Sequence, residues 1–399
     1  MKLIKNCVLT INKGSSSIKF AIYEIEESLT LLLSGEIENI GIKNAKLSFF
    51  NFKTNQKNTV NIEATSHNDG GNFLIDWFEK QDIFASVKAI GHRIVHGMKH
   101  TEPELITPEL LDELKNISAY DPEHLPEEIK LIEVFSKRYS LLPQIACFDT
   151  SFHTSMPEVA KLLAIPRRYK EKGIQRYGFH GLSYSYLMEE LKRTAGTEAA
   201  QSKIILAHLG SGASLAAIKG GKSIDTSMGF TPTSGLPMGT RTGDLDPGVA
   251  WYLMQSEKLS PEQFNHFINY ESGLLGISET SSDMRDLIKI QNTDIRAAEA
   301  IELFCYQTKK WIGSFAAALG GLDTLVFSGG IGEQAPEIRY RICSGMKFLG
   351  IELDQAKNVK SESIISTPES NVCVRVIKTN EELMIGRMVC RVLNYNVKQ

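Results

Sequence analysis

INKGSSSIKF, at residues 11–20, places a Gly/Ser turn between two apolar segments near the start of the chain. The flanking runs Cys7–Asn12 and Ile18–Ile25 are rich in aliphatic and β-branched residues and predict two strands. Because glycine tolerates positive φ, the backbone N–H groups of such a turn can point inward and surround phosphate oxygens. The serine hydroxyls add donors, and Lys19 adds a positive charge. An ordinary hairpin turn explains the same residues, so this stretch alone leaves both interpretations open.

The first domain-sized part of the chain continues with strands and then alternates helices with strands. The predicted strands are Leu29–Glu38, Lys46–Phe52, Val87–Ile90 and Gln144–Asp149, and the predicted helices are Asn72–Lys80, Pro108–Ile117 and Glu127–Tyr139. Strands that give way to alternating helices and strands indicate an α/β layer fold.

A similar pattern begins again in the second half of the chain, where Gly210 in the turn HLGSG corresponds to Gly14 in the first half. The elements there are the strands Lys203–His208, Leu215–Lys219, Lys222–Thr226 and Asp323–Phe327, a hairpin at Gly220-Gly221 and a helix over Asp294–Ala318. The repetition predicts two duplicated α/β domains that flank a catalytic cleft, with two unrelated α/β units as the alternative. The predicted first domain is residues 1–150, joined by a C-terminal helix at about 381–399, and the predicted second, nucleotide-binding domain is 151–380.

Composition and charge restrict the possible classes of function. The 399 residues are 42% hydrophobic, enough for a substantial core, and carry a net charge of −3. No basic patch stands out, which argues against nucleic acid as a partner. No apolar run approaches the roughly 18 residues of a membrane helix, and the polar N-terminal segment is not typical of a signal peptide. Since the six scattered cysteines also lack CxxC or metal-site spacing, we expect a cytoplasmic protein without a membrane partner.

Seven short stretches carry most of the chemistry, and their order makes them specific. They are INKGSSSIKF (11–20), GHRIVHG (91–97), FDTSFH (148–153), RYGFHG (176–181), HLGSGAS (208–214), GTRTGDLDPG (239–248) and LVFSGGIGE (325–333). Together they supply Gly-rich turns after apolar strands, arginines, carboxylates and histidines. These groups fit the transfer of a phosphoryl group from a nucleotide to an anionic acceptor.

Five side chains in these stretches are candidates for the chemistry. Arg93 and Arg241 lie in Gly-bounded segments, and the arginine fork matches carboxylate and phosphate oxygens. Asp149 ends an apolar strand, a position typical of carboxylates that take part in catalysis or bind a metal. Alternatively, it caps the following turn. His180 lies between two glycines, although a lone histidine is more often structural than catalytic. Asn12, at the end of the first strand, is a candidate for binding phosphate or a metal-bound water.

HLGSG and SGGIGE each place glycines at the carboxyl end of a predicted strand, where α/β folds usually bind ligands. SGGIGE precedes Ala335-Pro336 and a predicted helix, so we expect N–H groups at the start of that helix to face an anion. Either stretch alone also fits an ordinary strand-to-helix turn. Their occurrence in one chain with the other stretches favours phosphate binding.

In this order, the stretches resemble the signatures of the acetate/propionate kinase family, within the sugar kinase–Hsp70–actin superfamily. INKGSSSIKF is similar to the first family signature, and RYGFHGLSY with DTSMGFTP is similar to the second. TSSDMRDL (280–287), SGGIGE and TNEELMIGR (379–387) resemble the nucleotide-binding and C-terminal motifs. The resemblance covers nearly the whole chain. It implies two ribonuclease H-like (actin-like ATPase) domains and a reversible, direct transfer of the ATP γ-phosphoryl group to acetate, giving acetyl phosphate and ADP.

The resemblance also implies Mg²⁺, for which Mn²⁺ can substitute, ATP or ADP as substrate, a homodimer and a part in acetyl-CoA biosynthesis. Propionate or another short-chain acid is the alternative acceptor. A sugar kinase is a more distant alternative, but a sugar hydroxyl needs a general base, whereas these motifs centre on arginines. An Hsp70-like ATPase module is another distant alternative. Such a module requires a peptide-binding or polymerising region, which is not apparent in the sequence.

The resemblance assigns roles to individual residues. The implied catalytic residues are Asp149, His180 and Arg241, and those implied to bind the carboxylate and its acyl group are Arg93, Val95, Ala119, Phe179 and Pro232. The implied ATP-binding residues are Lys19, His208, Leu209, Gly210, Ser211, Gly212, Asp283, Met284, Arg285, Gly329, Gly330, Ile331, Gly332 and Glu333. The implied magnesium residues are Asn12 and Glu381.

Several positions depart from the family pattern. Ala119-Tyr120-Asp121-Pro122 stands where the family usually reads L-H-N-P, and Lys13 replaces a small residue or Cys. Ser211 and Thr242 replace the usual residues in HLGNG and GTR(C/S)GD, and Glu279 stands where Gly is common. Alanine in place of leucine leaves more room for the acyl group, which predicts that propionate is used at least comparably to acetate unless the tyrosine ring fills the space. Acyl and nucleotide preference therefore stay open.

Overall fold

The computed structural model describes residues 6–14, 17–41, 44–64 and 66–397. Ser15 and Ser16 of the first Gly/Ser turn lie outside the described residues. The chain forms two compact units: unit 1 comprises Met1–Ser151 with Asn380–Gln399, and unit 2 comprises Phe152–Thr379.

Each unit contains one sheet, with eight strands in unit 1 and five in unit 2 among the described residues. The strands are β1 (Cys7–Lys13), β2 (Ile18–Ile25), β3 (Leu29–Glu38), β4 (Lys46–Asn51), β5 (Gln56–Asn61), β6 (Val87–Ile94), β7 (Glu104–Leu105), β8 (Gln144–Phe148), β9 (Lys203–Leu209), β10 (Ala213–Lys219), β11 (Lys222–Thr226), β12 (Thr324–Ser328) and β13 (Cys373–Val376).

Helices flank both sheets. The α-helices are α1 (His67–Phe78), α2 (Pro108–Asn116), α3 (Leu125–Arg138), α4 (Glu158–Lys161), α5 (Gly181–Gln201), α6 (Pro247–Ser256), α7 (Pro261–Tyr270), α8 (Gly273–Ser278), α9 (Met284–Ile290), α10 (Ile295–Leu319), α11 (Gly329–Gln334), α12 (Pro336–Cys343), α13 (Gln355–Val359) and α14 (Glu381–Val392). Short 3₁₀ helices cover Asp82–Ser86, Ser118–Tyr120, Ser151–His153, Arg167–Lys172 and Lys347–Leu349. None of the helices in the described part of the chain is long and apolar enough to cross a membrane.

The sheet of unit 1 has the strand order β5-β4-β3-β2-β1-β6-β8-β7. Strands β1 to β5 are antiparallel neighbours, whereas β1, β6 and β8 run parallel. β1 is buried along its whole length because one face packs against Leu74 of α1 and Leu131 of α3 and the other lies under α14. Since parallel strands end at the same edge of a sheet, this arrangement brings Asn12, Arg93 and Asp149 together.

The last helix of the chain, α14, covers one face of the unit 1 sheet. Its N-cap Asn380 accepts a hydrogen bond from the Leu383 N–H at 2.9 Å. Apolar side chains on one side of the helix, including Ile385 and Val389, are buried against β1 and β6. The approach is closest at Gly91 in β6, where an added Cβ atom would overlap Ile385 and lie 2.6 Å from a Val389 methyl group. The C-terminal segment thus completes unit 1.

The sheet of unit 2 repeats the centre of the unit 1 sheet. Its order is β11-β10-β9-β12-β13, with β9 to β11 antiparallel and β9, β12 and β13 parallel. The order and directions match those of β3-β2-β1-β6-β8 in unit 1. Gly14 follows β1 and Gly210 follows β9, so the two Gly-rich turns occupy equivalent places. The predicted duplication of an α/β domain is confirmed, and the alternative of two unrelated units is wrong.

The predicted strands and helices are present, with shifts at their ends. The largest shift is at α1, which begins at His67 rather than Asn72 because the Ser66 side chain caps it by accepting the Asp69 N–H. The prediction missed β5, whose side chains are all exposed and therefore show no apolar alternation. It also missed α5, in which the chain departs from helical geometry at Gly196.

Candidate active site

Unit 1 holds a buried arginine–aspartate ion pair at the carboxyl edge of its sheet. Arg93 lies near the end of β6, and Asp149 directly follows the neighbouring parallel strand β8. Arg93 Nε and Nη2 donate to Asp149 Oδ2 at 2.9 and 2.5 Å, and the Asp149 side chain is fully buried. Burial opposes the charged state of Arg93, but Asp149 and Glu381 outweigh it and raise the pKa of the guanidinium. The Arg93 guanidinium therefore keeps its positive charge, and its side chain is 15% exposed.

Asn12, at the end of β1, connects this ion pair to two glutamates of α14. Its Oδ1 accepts from Arg93 Nη1 at 3.4 Å, and its Nδ2 donates to Glu381 Oε2 at 2.8 Å and to Glu382 Oε1 at 3.0 Å. Burial raises the pKa of Glu382, and the neighbouring Glu381 carboxylate adds to the effect. Lys19 lies opposite Asn12 on β2. Partial burial lowers the pKa of Lys19, but nearby glutamates outweigh that effect and raise it.

The donor groups of this site are oxygen donors of the kind that a magnesium ion prefers. In the part of the chain that the structure describes, no three His, Cys, Asp or Glu side chains are arranged to enclose a metal. Mg²⁺ does not require such a set, since one or two carboxylates, waters and substrate phosphates usually bind it. Glu381 and Glu382 share the Asn12 amide, so a divalent cation beside them would relieve their repulsion. Sequence reasoning missed Glu382, although the adjacent letters EE in TNEELMIGR were the available signal.

Two predicted acyl-binding residues lie in unit 1. Val95 is buried, and its N–H donates to Glu128 Oε2 at 3.0 Å. Ala119 lies in the 3₁₀ helix Ser118–Tyr120, between α2 and α3. Glu128 was not among the predicted site residues, because a glutamate in the first turn of a helix usually indicates no more than a favourable helix start.

Two further predicted acyl-binding residues lie in unit 2. Phe179 is buried, and its carbonyl oxygen accepts a hydrogen bond from His153 Nε2 at 3.1 Å. The Pro232 carbonyl oxygen accepts from Arg241 Nη1 at 3.1 Å. The backbone of each residue is therefore held by a hydrogen bond from a side chain in one of the seven stretches.

His180, immediately before α5, is held on several sides. Its backbone has a φ of 60°, a left-handed conformation that is uncommon for a residue with a Cβ atom. Its Nδ1 lies 2.9 Å from Ser214 Oγ, which lies 2.5 Å from the Tyr184 hydroxyl. The imidazole stacks on His208, with 4.3 Å between ring centroids. Ser214 and Tyr184 were not predicted as site residues, and together these contacts fix the ring and its Nε2.

His180 and Arg241 converge on the turn between β9 and β10. A Cβ atom on Gly212 would lie 3.2 Å from His180 Nε2 and 3.9 Å from Arg241 Nη1. The Gly239 N–H donates to the Ser211 carbonyl at 3.0 Å, which fixes the loop that carries Arg241 beside this turn. Three stretches that are separate in sequence thus bring two predicted catalytic side chains to one glycine.

We expect Gly212→Ala to lower kcat by about tenfold to a hundredfold, because the methyl group would push His180 or Arg241 out of position. The φ of Gly212 is not positive, so the fold should accept alanine. Steady-state kinetics and thermal unfolding measure the two effects separately. Gly313→Ala in α10 is the matched control, since its Cβ would meet no described atom within 4 Å. An unchanged kcat in the Gly212 variant would contradict this convergence.

SGGIGE is itself helical, which differs from the expectation that a helix starts only after Ala335-Pro336. The helix α11 begins at Gly329, and α12 follows at Pro336. The first N–H of α11 does not face open space, because the Gly329 N–H donates to Glu333 Oε1 at 3.0 Å. The Thr379 N–H donates to the same oxygen at 3.0 Å. Glu333 therefore holds the start of α11 in place, and the predicted residues Gly330, Ile331 and Gly332 lie within that helix.

The predicted nucleotide-binding turns after β9 and β12 lie against each other. Gly329 has a φ of 75°, and a Cβ atom there would lie 2.6 Å from the Leu209 carbonyl oxygen. A Cβ atom on Gly210 would lie 3.8 Å from the Gly330 nitrogen. Only glycine at position 329 allows α11 to approach the end of β9 this closely. The two turns therefore form one surface of unit 2.

The third predicted nucleotide-binding stretch, Asp283–Arg285, begins α9. Asp283 caps the helix by accepting the Arg285 N–H at 2.8 Å, and the two side chains form an ion pair. This hydrogen bonding lowers the pKa of Asp283. A Cβ atom on Gly239 would lie 3.1 Å from the Ser282 carbonyl oxygen and 3.5 Å from that of Ser211. The stretch therefore adjoins the β9–β10 turn, with the intervening methionine buried.

Comparison with known proteins agrees with these features. The chain matches the acetokinase family over residues 7–387. An acetate kinase of Rhodopseudomonas palustris is 43% identical over 394 residues, which cover 97% of this chain and 98% of that protein. A crystal structure of Porphyromonas gingivalis acetate kinase has a TM-score of 0.85 and 36% identity, covering 97% of this chain and 100% of that one. A propionate kinase from Francisella tularensis has a TM-score of 0.89 and 38% identity, covering 96% and 98%. On the strength of a match across nearly its whole length, the chain belongs to the acetokinase family.

Proposed function

We propose that the protein transfers the γ-phosphoryl group of ATP to acetate, giving acetyl phosphate and ADP, and catalyses the reverse reaction. The observation that carries the proposal is the placement of two arginines: Arg93 lies beside Asp149 in unit 1, and Arg241 lies beside His180 in unit 2. Family membership supports the same reaction. Acetate and propionate kinases both occur among the similar proteins, so propionate is the second candidate acceptor.

In this proposal, Arg93 binds the carboxylate of the acceptor. A carboxylate is already ionised at neutral pH, so its oxygen attacks the γ-phosphorus without a general base. Asp149 takes two of the Arg93 hydrogen bonds and thereby fixes the orientation of the guanidinium. Asp149 is therefore a positioning residue for Arg93 and, with Asn12, for the glutamates of α14.

Arg241 and His180 would stabilise the charge that develops on the phosphoryl group during transfer. When Tyr184 donates to Ser214 and Ser214 donates to His180 Nδ1, the imidazole proton lies on Nε2, which then donates to a phosphoryl oxygen. Arg241 adds a fixed positive charge. The bond from phosphorus to the ADP oxygen breaks as the bond to the carboxylate forms, the electron pair stays on ADP, and no proton is transferred.

We place the nucleotide on unit 2, along the turns after β9 and β12 and at the start of α9. Gly-rich backbone lets phosphates approach closely at such turns. Glu381 and Asn12 would hold Mg²⁺, or Mn²⁺ in its place, which supplies positive charge against the phosphates when bound. Family membership is also the ground for proposing a cytoplasmic homodimer that serves acetyl-CoA biosynthesis.

The test is to mix the protein with ATP, Mg²⁺, acetate and hydroxylamine. Acyl phosphates react with hydroxylamine to give a hydroxamate, whereas sugar phosphates and free phosphate do not. ADP release with glucose or glycerol would indicate a sugar kinase, and ADP release without an acceptor would indicate an ATPase module. If neither acetate nor propionate gave a hydroxamate, the proposal would be overturned.

We expect Glu381→Gln to raise the Mg²⁺ concentration for half-maximal activity by about tenfold, because the variant loses one carboxylate charge beside the metal. Excess Mg²⁺ should restore part of the rate. Magnesium titrations of wild type and variant at saturating ATP and acetate make the comparison. Glu102→Gln, at an exposed position of unit 1, is the control. A Glu381 variant with the wild-type magnesium curve would show that this glutamate only helps to build α14.

A further inference from the structure

A buried group of charged side chains lies under the carboxyl edge of the unit 1 sheet. We call Lys13, Asp121 and Glu128 the buried charge cluster. Lys13 ends β1, Glu128 lies in the first turn of α3, and each of the three is only 2% exposed. Burial raises the pKa of Glu128, and Lys13 counters this effect; burial lowers the pKa of Lys13, and Glu128 and Asp121 counter that effect. The three groups are therefore close enough to affect one another's charge.

The buried charge cluster is bonded to residues that we propose to bind the acceptor. Arg93 Nη1 donates to the Lys13 carbonyl oxygen at 3.2 Å. The Val95 N–H donates to Glu128 Oε2 at 3.0 Å. The proposed carboxylate-binding side chain and a proposed acyl-binding residue thus each adjoin one member of the cluster.

Glu128 and Lys13 each carry a polar side-chain atom that makes no hydrogen bond to the described residues. Glu128 Oε1 is buried and accepts no hydrogen bond from them. Lys13 acts on the surrounding carboxylates through space, but no hydrogen bond or ion pair joins its Nζ to a described residue. A buried charged group without a hydrogen bond destabilises the fold, so a donor and an acceptor left together indicate a place for a bridging polar group.

A hydroxyl group matches both atoms at once. Its oxygen accepts a hydrogen bond from the Lys13 ammonium, and its hydrogen donates to Glu128 Oε1. With acetate as the acceptor, a water molecule would have to make the same pair of bonds. A substrate methyl group at that place would displace the water and leave both charged groups without a hydrogen bond. Binding sites discriminate most strongly against a substrate analogue that leaves their buried polar groups unpaired in this way.

We propose that the buried charge cluster selects the acceptor, so that the site takes short 2-hydroxy carboxylates, of which glycolate is the smallest, in preference to apolar acids of the same size. This rests on the proposed function and names its acceptor class. Ala119, in place of the family's leucine, leaves room for the additional oxygen. A glycolate carboxylate oxygen attacks the γ-phosphorus, the bond to the ADP oxygen breaks, and the products are glycoloyl phosphate and ADP with no proton exchanged.

The test compares kcat/KM for glycolate, propionate and acetate, measured by ADP release. Glycolate and propionate have the same number of non-hydrogen atoms, but glycolate has a hydroxyl group where propionate has a methyl group. In wild type, we expect kcat/KM for glycolate to exceed kcat/KM for propionate by about tenfold or more. This ratio should fall by about tenfold in Lys13→Met and in Glu128→Gln. Both substitutions nearly conserve volume. Lys130→Met, at an exposed position of α3, is the control and should leave the ratio unchanged.

Three results would overturn the inference. The first is a wild type that uses propionate as well as glycolate, and the second is a ratio that changes by less than about threefold in both cluster variants. The third is a decrease of the glycolate-to-propionate ratio in the Lys130→Met control as large as that in the cluster variants. Thermal unfolding shows whether the variants fold; if Lys13→Met does not, Glu128→Gln decides, since it keeps an acceptor for the Val95 N–H. Kinase activity with acetate but not with glycolate would contradict only this inference. A protein that is inactive with every acid would contradict the proposed function.

Discussion

Replacing Arg241 by alanine is expected to lower kcat on the order of a thousandfold, with a much smaller change in either KM. The Arg241 guanidinium is held by the Pro232 carbonyl at 3.1 Å and lies beside His180 at the β9–β10 turn. In the proposed function, negative charge on the phosphoryl oxygens is redistributed during transfer, so a fixed positive charge beside them would act mostly on the transition state. Binding energy realised only in the transition state appears in kcat.

The measurement is steady-state kinetics in both directions, with ADP release for the forward reaction and ATP formation for the reverse. Arg241→Lys should recover little of the rate, because an ammonium group lacks the fork geometry of a guanidinium. Arg193→Ala is the matched control, an exposed arginine of α5 that pairs with Glu190. If Arg241→Ala raised KM for ATP while kcat stayed near wild type, Arg241 would be a ground-state binding residue.

Asp149→Asn is expected to lower kcat/KM for the carboxylate by about a hundredfold and the free energy of unfolding by about 1–3 kcal/mol. Asp149 is fully buried and receives two hydrogen bonds from Arg93. Asparagine keeps one oxygen but has no charge, so Arg93 would be left buried with a weaker partner. The guanidinium would then be free to rotate away from the acceptor.

Urea denaturation and carboxylate kinetics separate the two effects of Asp149→Asn. Asp82→Asn, at an exposed position of unit 1, is the control and should leave both quantities unchanged. A variant that lost stability but kept the wild-type kcat/KM would show that the ion pair serves the fold alone.

Strand ends were the most predictable part of the molecule. Arg93 and Asp149 each follow an apolar run, and parallel strands bring such ends to one edge of the sheet. The duplication was also readable, because Gly14 and Gly210 follow strands that occupy equivalent places in the two sheets. β5 could not be predicted from the sequence, because an exposed polar strand has no apolar alternation. It forms because its backbone pairs with β4.

The residues that orient the site were less predictable than the residues that they orient. Ser214 hydrogen-bonds to His180 across 34 residues of sequence, and no spacing indicates that contact. Tyr184 follows His180 by four residues, but its hydrogen bond to Ser214 is visible only in the tertiary structure. Glu382 resembles any acidic residue in a first helical turn until the Asn12 hydrogen bond is seen. Lys13 was recognisable as a departure from the family pattern, but a lysine beside a turn is normally exposed, and its burial is a property of the tertiary structure.

A ribosome releases β1 long before it releases α14. Asn12 is separated in the chain by 369 and 370 residues from the two glutamates to which it donates. Residues 152–379 of unit 2 are synthesised as one continuous block and can fold before unit 1 is complete. Glu381 is therefore added to a nascent chain 369 residues after Asn12, and the apolar surface around Gly91 stays uncovered until α14 has been synthesised.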